Sequence, residues 1–138
     1  MTKSTKPLIL HAFANSPNPL KISIALELLS LPYEINVWQF GDDPKSGVKG
    51  EAFATLSENG RVPVLEDPNT GVTAWESGAI MNYLRRKYDA EGTILGLTGK
   101  GSGEGGQVTD QDLVDFEKWE YLLLTTLAPF SGQVVWFK

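Results

Sequence analysis

The sequence predicts an α/β domain, strand–helix–strand followed by strand–strand–helix, with a separate helical segment after it. Three observations carry this. Short apolar or alternating runs at residues 8–13, 33–37, 62–65 and 72–75 have the length and pattern of strands. Residues 21–29 and 76–88 repeat apolar side chains at helical spacing. Composition then breaks at residues 99–106, where five of eight residues are glycine, before helical periodicity resumes at Thr109.

Each element has a local cause. Leu8-Ile9-Leu10 opens the first strand, and Ile22, Ile24-Ala25-Leu26 and Leu28-Leu29 give the following helix a broad, well-buried apolar face. Pro17 and Pro19 suit its first turn, where a missing N–H costs nothing, and Ser16 or Asn18 can cap it. Gly41, Pro44, Gly47 and Gly50 make residues 40–60 a long loop, with room for one irregular helix at 51–56. Asp67-Pro68-Asn69-Thr70-Gly71 is turn chemistry between two strands, so 62–75 is a hairpin. Ile80, Met81, Tyr83, Leu84 and Tyr88 set the face of the next helix. The glycine-rich stretch reads as a flexible linker or loop and not a packed element. The last helix, capped by Thr109 or Asp110, is apolar around more than one face through Leu113, Phe116, Trp119 and Leu122 to Leu124. These readings divide the chain at 1–90, 91–108 and 109–138.

Bulk composition narrows the function classes. The chain has 138 residues, a net charge of −5 and no cysteine. Without a basic field, nucleic acid is not an expected partner. Without thiols there is no disulfide, no thiolate metal site and no cysteine nucleophile. Nothing resembles a metal cluster, a Ser-His-Asp triad or a phosphate loop, and His11 reads as a structural histidine. No apolar run reaches the roughly 20 residues that span a bilayer, and residues 1–6 lack a signal core. A cytoplasmic protein with no membrane partner is the expectation.

Three groups of residues point to a ligand. Ser16-Pro17-Asn18-Pro19 joins a strand to a helix N-terminus, where backbone N–H groups and the positive dipole end favour an anion. Pro63 interrupts a strand; it is either an edge-strand proline or a cis proline that turns the Val62 backbone toward a ligand. Glu76-Ser77 opens a helix directly after a strand. The pair either caps that helix or meets the ammonium and carboxylate of an amino-acid-like ligand. Lys49 reads as a solvated loop cation.

Taken together, Ser16-Pro17-Asn18-x-x-Lys21, Arg61-Val62-Pro63-Val64-Leu65 and Trp75-Glu76-Ser77-Gly78-Ala79-Ile80 resemble the cytosolic glutathione transferases. The branch they are most similar to is the fungal Ure2-like type, related to the bacterial nu-class enzymes. The likeness covers residues 7–90 and extends into Ala128-Pro129-Phe130-x-Gly132-Gln133. It implies a thioredoxin-like domain followed by the start of an all-helical domain, with the chain ending inside a domain that is whole in the family. It also implies glutathione as co-substrate and no metal. Ser16 or Asn18 would act on the glutathione sulfur, where many relatives carry tyrosine, cysteine or threonine. The Val62 backbone, ahead of a cis Pro63, would pair with the cysteinyl backbone, Glu76 and Ser77 would hold the γ-glutamyl end, Lys49 would meet the glycine carboxylate, and Arg61 would be a further glutathione-binding residue. Phe13, Tyr121, Thr125, Pro129 and Phe130, with Trp136, would wall the pocket of a hydrophobic electrophile.

The activity this implies is addition of the glutathione thiolate to an electrophilic small molecule, in a homodimer. Two enzymatic variants share the site: reversible addition that isomerises a double bond, and disulfide reduction with glutathione. The rival of another class is a non-enzymatic binding or regulatory module of the same fold.

Overall fold

The computed structural model describes residues 5–14 and 16–136. Two compact units divide the chain, Met1–Met81 and Asn82–Lys138. The first begins with strand β1 (Leu8–Ala12), helix α1 (Pro17–Leu28) and strand β2 (Tyr33–Val37). A short helix α2 (Glu51–Ala54), strands β3 (Val64–Asp67) and β4 (Val72–Trp75), and helix α3 (Ser77–Tyr88) follow; α3 continues into the second unit.

The four strands form one sheet in the order β2-β1-β3-β4. β1 and β2 are parallel, from Leu8 opposite Tyr33 to Ala12 opposite Val37, as the intervening helical crossover requires. β3 runs antiparallel to β1 and to β4. This parallel crossover joined to an antiparallel hairpin is the thioredoxin-like topology. The hairpin turns because the buried Asp67 carboxylate accepts the Asn69 backbone N–H at 2.8 Å while Gly71 takes φ +77°.

Burial follows the alternation of the strands. Leu8, Leu10 and Leu65 are fully buried, as are Ile22 and Leu26 of α1 and Ile80 of α3. Register puts His11 and Val64 opposite each other on the other face of the sheet. There Val48, Phe53 and Val64 form a second cluster, with Phe13, Trp38, Leu56 and Val62 packed against it. The Trp38 ring meets Phe53 edge-on at 4.9 Å. His11 is pinned beneath it: Trp38 Nε1 donates to His11 Nδ1 at 2.8 Å, so the other nitrogen carries the proton and donates to Glu66 Oε1 at 2.8 Å. The histidine is therefore a bracket that ties the loop after β2 to the sheet.

In the second unit, Arg85 near the end of α3 forks onto Glu120, at 3.1 and 3.3 Å, and lies 4.7 Å over the Phe116 ring. Both partners belong to helix α4 (Asp110–Leu122), whose Thr109 and Asp112 form a reciprocal capping box. A π-helical stretch, Leu123–Leu127, separates α4 from α5 (Ala128–Trp136). Pro129 has no N–H to give the preceding turn, and the wider turn accommodates its ring.

The glycine-rich stretch is closed by its own hydrogen bonds. Gly101 N–H donates to Gly106 at 3.3 Å, Gly103 N–H to Gln107 at 3.0 Å, and Ser102 N–H to Asp112 Oδ2 at 2.8 Å. The chain doubles back so tightly that a Cβ at Gly101 would stand 2.0 Å from the Gln107 carbonyl oxygen. Glycine is there for close backbone approach.

Candidate functional site

The N-terminus of α1 is built as its sequence dictates. Ser16 is the N-cap residue with extended backbone (φ −83°, ψ 128°), Pro17 holds the first helical position, and the Ser16 hydroxyl makes no capping bond. One residue into the helix, Asn18 carries a buried amide oxygen with no hydrogen-bond partner among the described residues. Leaving a buried acceptor unpaired costs about 1–3 kcal/mol, so an orphan facing a cleft marks a place where a ligand group belongs.

The second contribution comes from the loop before β3. The Val62–Pro63 peptide bond is cis, which resolves the two readings of Pro63. The β3–β4 register starts at Val64 opposite Trp75, so the strand begins two residues later than the apolar run predicts, and Val62 lies outside the paired ladder. Val62 is held from behind by the Phe53 cluster, which fixes where its backbone points.

The third contribution is the junction of β4 and α3. Glu76 sits at φ +71°, in the left-handed region that a residue with a Cβ enters at a cost of about 1–2 kcal/mol. It thus lies outside α3 rather than in its first turn, and its carbonyl accepts the first helical bond from Ile80 N–H at 2.9 Å. Backbone N–H groups of the first turn, beginning at Ser77, have no acceptor within the helix. Two side chains hold the junction: Asn59 Nδ2 donates to Glu76 Oε1 at 3.2 Å, and Lys21 Nζ donates to Ser77 Oγ at 2.9 Å. Burial lowers the Lys21 ammonium from its ordinary value, and the charge of Glu76 opposes that shift.

These pieces line one cleft. Asn18 forms one side, Asn59 with Arg61, Val62 and Pro63 another, and Trp75, Glu76 and Ser77 close it. Six residues singled out in the sequence, Asn18, Arg61, Val62, Pro63, Glu76 and Ser77, meet there. Ser16 stands two residues before Asn18, off the cleft wall. Lys49 is also off the wall; its Nζ donates to the Asn59 carbonyl at 3.2 Å, which leaves it next to a lining residue. Asn59 itself is a site residue that sequence reasoning missed, since a lone loop asparagine carries no signal.

The residues expected around an electrophile belong to both units. Phe13 lies in the first unit, its ring 6.2 Å from that of Phe40. Tyr121, Thr125, Pro129 and Phe130 follow one another along α4, the π-helical stretch and α5 of the second unit. Tyr121 and Phe130 are exposed, and the Thr125 hydroxyl donates to the Tyr121 carbonyl at 2.8 Å. The side chain of Trp136 lies outside the described residues.

Comparison with known proteins assigns the chain to a family. Residues 15–87 match the family described as glutathione S-transferase, N-terminal domain. The chain belongs to the glutathione S-transferases. Among curated relatives, the glutathione S-transferase-like protein OpS6 of Beauveria bassiana is 36% identical over 133 residues, 96% of this chain and 54% of that protein. Among solved structures, the glutathione transferase URE2P8 of Phanerochaete chrysosporium with oxidized glutathione superposes with a TM-score of 0.71 at 32% identity, covering 99% of this chain and 56% of that one. Ure2p5 from the same organism, cocrystallized with 1-(S-glutathionyl)-2,4-dinitrobenzene, gives 0.68 at 26% identity, covering 98% and 52%. The chain is thus of the Ure2-like type its motifs resemble, a thioredoxin-like N-terminal domain followed by a helical region. It spans about half the length of the relatives it matches. Among the described residues, no helix is long and apolar enough to cross a membrane.

Proposed function

We propose that the chain binds glutathione in this cleft, stabilises its thiolate and adds that sulfur to a hydrophobic electrophile. The observation that carries this is the convergence of Asn18, Val62–Pro63 and Glu76-Ser77, three elements distant in sequence, on one cleft. The relatives crystallised with oxidized glutathione and with a glutathionyl conjugate support it.

Each polar group has a matching part of the tripeptide. The γ-glutamyl ammonium meets the Glu76 carboxylate, and its carboxylate meets the Ser77 hydroxyl and the N–H groups of the α3 N-terminus. The Val62 backbone pairs with the cysteinyl backbone, and Arg61 lies alongside it. Lys49 reaches the glycine carboxylate from the rim. The sulfur lies toward the N-terminus of α1, between the Ser16 hydroxyl and the Asn18 amide. A half-turn of that amide exchanges its unpaired oxygen for an NH₂ donor.

Hydrogen-bond donors and a helix dipole favour thiolate over thiol. A free thiol with a pKa of about 8.5 drops by a unit or more in such surroundings, and each unit raises the thiolate population about tenfold at neutral pH. The thiolate then attacks the electrophilic carbon. A carbon–sulfur bond forms, and either a leaving group departs with its electron pair or an added double bond takes up the proton the thiol released. Proximity of the two bound reactants supplies the rest of the acceleration.

Conjugation of glutathione to chlorodinitrobenzene, followed with thiolate absorbance, tests the reading. Ser16→Ala is expected to lower thiolate absorbance and turnover more than glutathione affinity. Unchanged absorbance in Ser16→Ala with loss in Asn18→Ala would move the role to Asn18. Glutathione binding without turnover of any electrophile or disulfide would instead make the chain a binding module.

A further inference from the structure

Lys21 stands behind the cleft wall, bonded to the lining residue Ser77, and its geometry gives it a task. It projects from α1 one turn beyond Asn18 and reaches 56 positions along the chain to Ser77, donating to Oγ at 2.9 Å. An ammonium has three donors and no acceptor. Ser77 Oγ must therefore accept in this bond, and its own hydrogen is free to point elsewhere. Ser77 is buried yet lines the cleft, so the cleft is where that hydrogen can find an acceptor. The companion bond works the same way: Asn59 occupies Glu76 Oε1 and leaves the second carboxylate oxygen for a cation. Among the described residues, no carboxylate forms an ion pair with Lys21. The nearest acidic influence is Glu76, itself the proposed partner of a ligand ammonium. A half-buried cation with a neutral partner thus stands directly behind the hydroxyl.

We infer that Lys21 is a positioning residue for the α-carboxylate of the γ-glutamyl group: it fixes Ser77 as a donor and places a positive charge behind the bond that carboxylate accepts. This rests on the glutathione reading above. It gives the cleft selectivity for ligands ending in a free amino-acid carboxylate over the same amine without one.

The test compares two probes on the intact chain by tryptophan fluorescence: glutathione, and its analogue carrying 4-aminobutanoyl in place of γ-glutamyl, which lacks only the α-carboxylate. Wild type is expected to prefer glutathione about 10- to 100-fold, the range of a hydrogen bond to a charged group. In Lys21→Met the preference should fall severalfold, because the analogue loses little while glutathione keeps only the Ser77 hydroxyl and the α3 N–H groups for its carboxylate, whereas a merely structural lysine would weaken both probes alike and preserve the ratio. Lys21→Arg should restore most of the preference. If Lys21→Met does not fold, Lys21→Gln, which keeps a donor without the charge, should still reduce the ratio. A ratio unchanged in every folded variant overturns the inference while leaving the glutathione reading intact. Wild type binding neither probe overturns both.

Discussion

Glu76 holds the most telling single conformation. A glutamate at φ +71° is strained, and strain that persists at a cleft is a reason to look for function there. Glu76→Gly separates the two roles. Glycine relieves about 1–2 kcal/mol of left-handed strain and returns about 0.5–1 kcal/mol through unfolded-chain entropy. The urea midpoint should therefore stay level or rise, while glutathione affinity falls about tenfold or more with the lost charged partner. A clear drop in midpoint with affinity retained would reduce Glu76 to a structural residue. The sequence suggested an acid beside a hydroxyl at this point, and both do line the cleft. What it could not supply was the backbone twist that puts Glu76 outside the helix, because nothing in the residue type announces it. Lys21 stood within a recognised motif without a role, since its partner lies far along the chain.

At the scale of elements, periodicity was a good guide wherever one strand or helix face decides the outcome. β2 and β4 fall where alternation and turn chemistry put them, and the Thr109 cap starts α4. Errors arose where backbone geometry overrides side-chain pattern. Val62 looks like the start of a strand, but a cis bond to Pro63 delays the ladder until Val64. The glycines of residues 99–106 read as flexibility, because composition alone does not distinguish freedom from close approach. Gly101→Ala decides between them. With the Gln107 carbonyl 2.0 Å from the added Cβ, the substitution should cost about 1–3 kcal/mol in thermal or urea unfolding, whereas a free linker would not respond. Phe53→Ala tests the cluster behind the site. Removing this fully buried ring should cost about 3–5 kcal/mol. Glutathione affinity should fall too, measured where the variant is still folded, because Val62 loses its backing.

For the whole molecule, charge and apolar surface set the expected behaviour. Several carboxylates serve as hydrogen-bond acceptors. Backbone N–H groups and hydroxyls of Thr109 and Ser102 hold Asp112 far below the usual carboxylate value. Burial raises Asp89, but the N–H groups of Leu95, Ile94 and Thr93 and the Thr93 hydroxyl outweigh it, leaving it lowered as well. Lowered folded-state values stabilise fully above the unfolded carboxylate range of about pH 4, and that stability is lost as pH falls through the lowered values. Acid titration of the helical signal should show unfolding that begins below about pH 4, and Asp112→Asn should flatten that dependence. Trp119, Tyr121, Leu127, Phe130 and Val134 are all exposed along α4, the π-helical stretch and α5. Apolar surface of this kind favours association, in keeping with the homodimer that the family resemblance implies. Sedimentation should give twice the chain mass, and a monomer at all concentrations would contradict it.

The measurement closest to the central claim is a glutathione titration followed by tryptophan fluorescence, since Trp75 lines the cleft. Saturable binding at millimolar concentration or tighter is expected, abolished in the double variant Glu76→Ala/Ser77→Ala. No binding at cellular glutathione levels, or equal binding by that double variant, would contradict a glutathione site in this cleft.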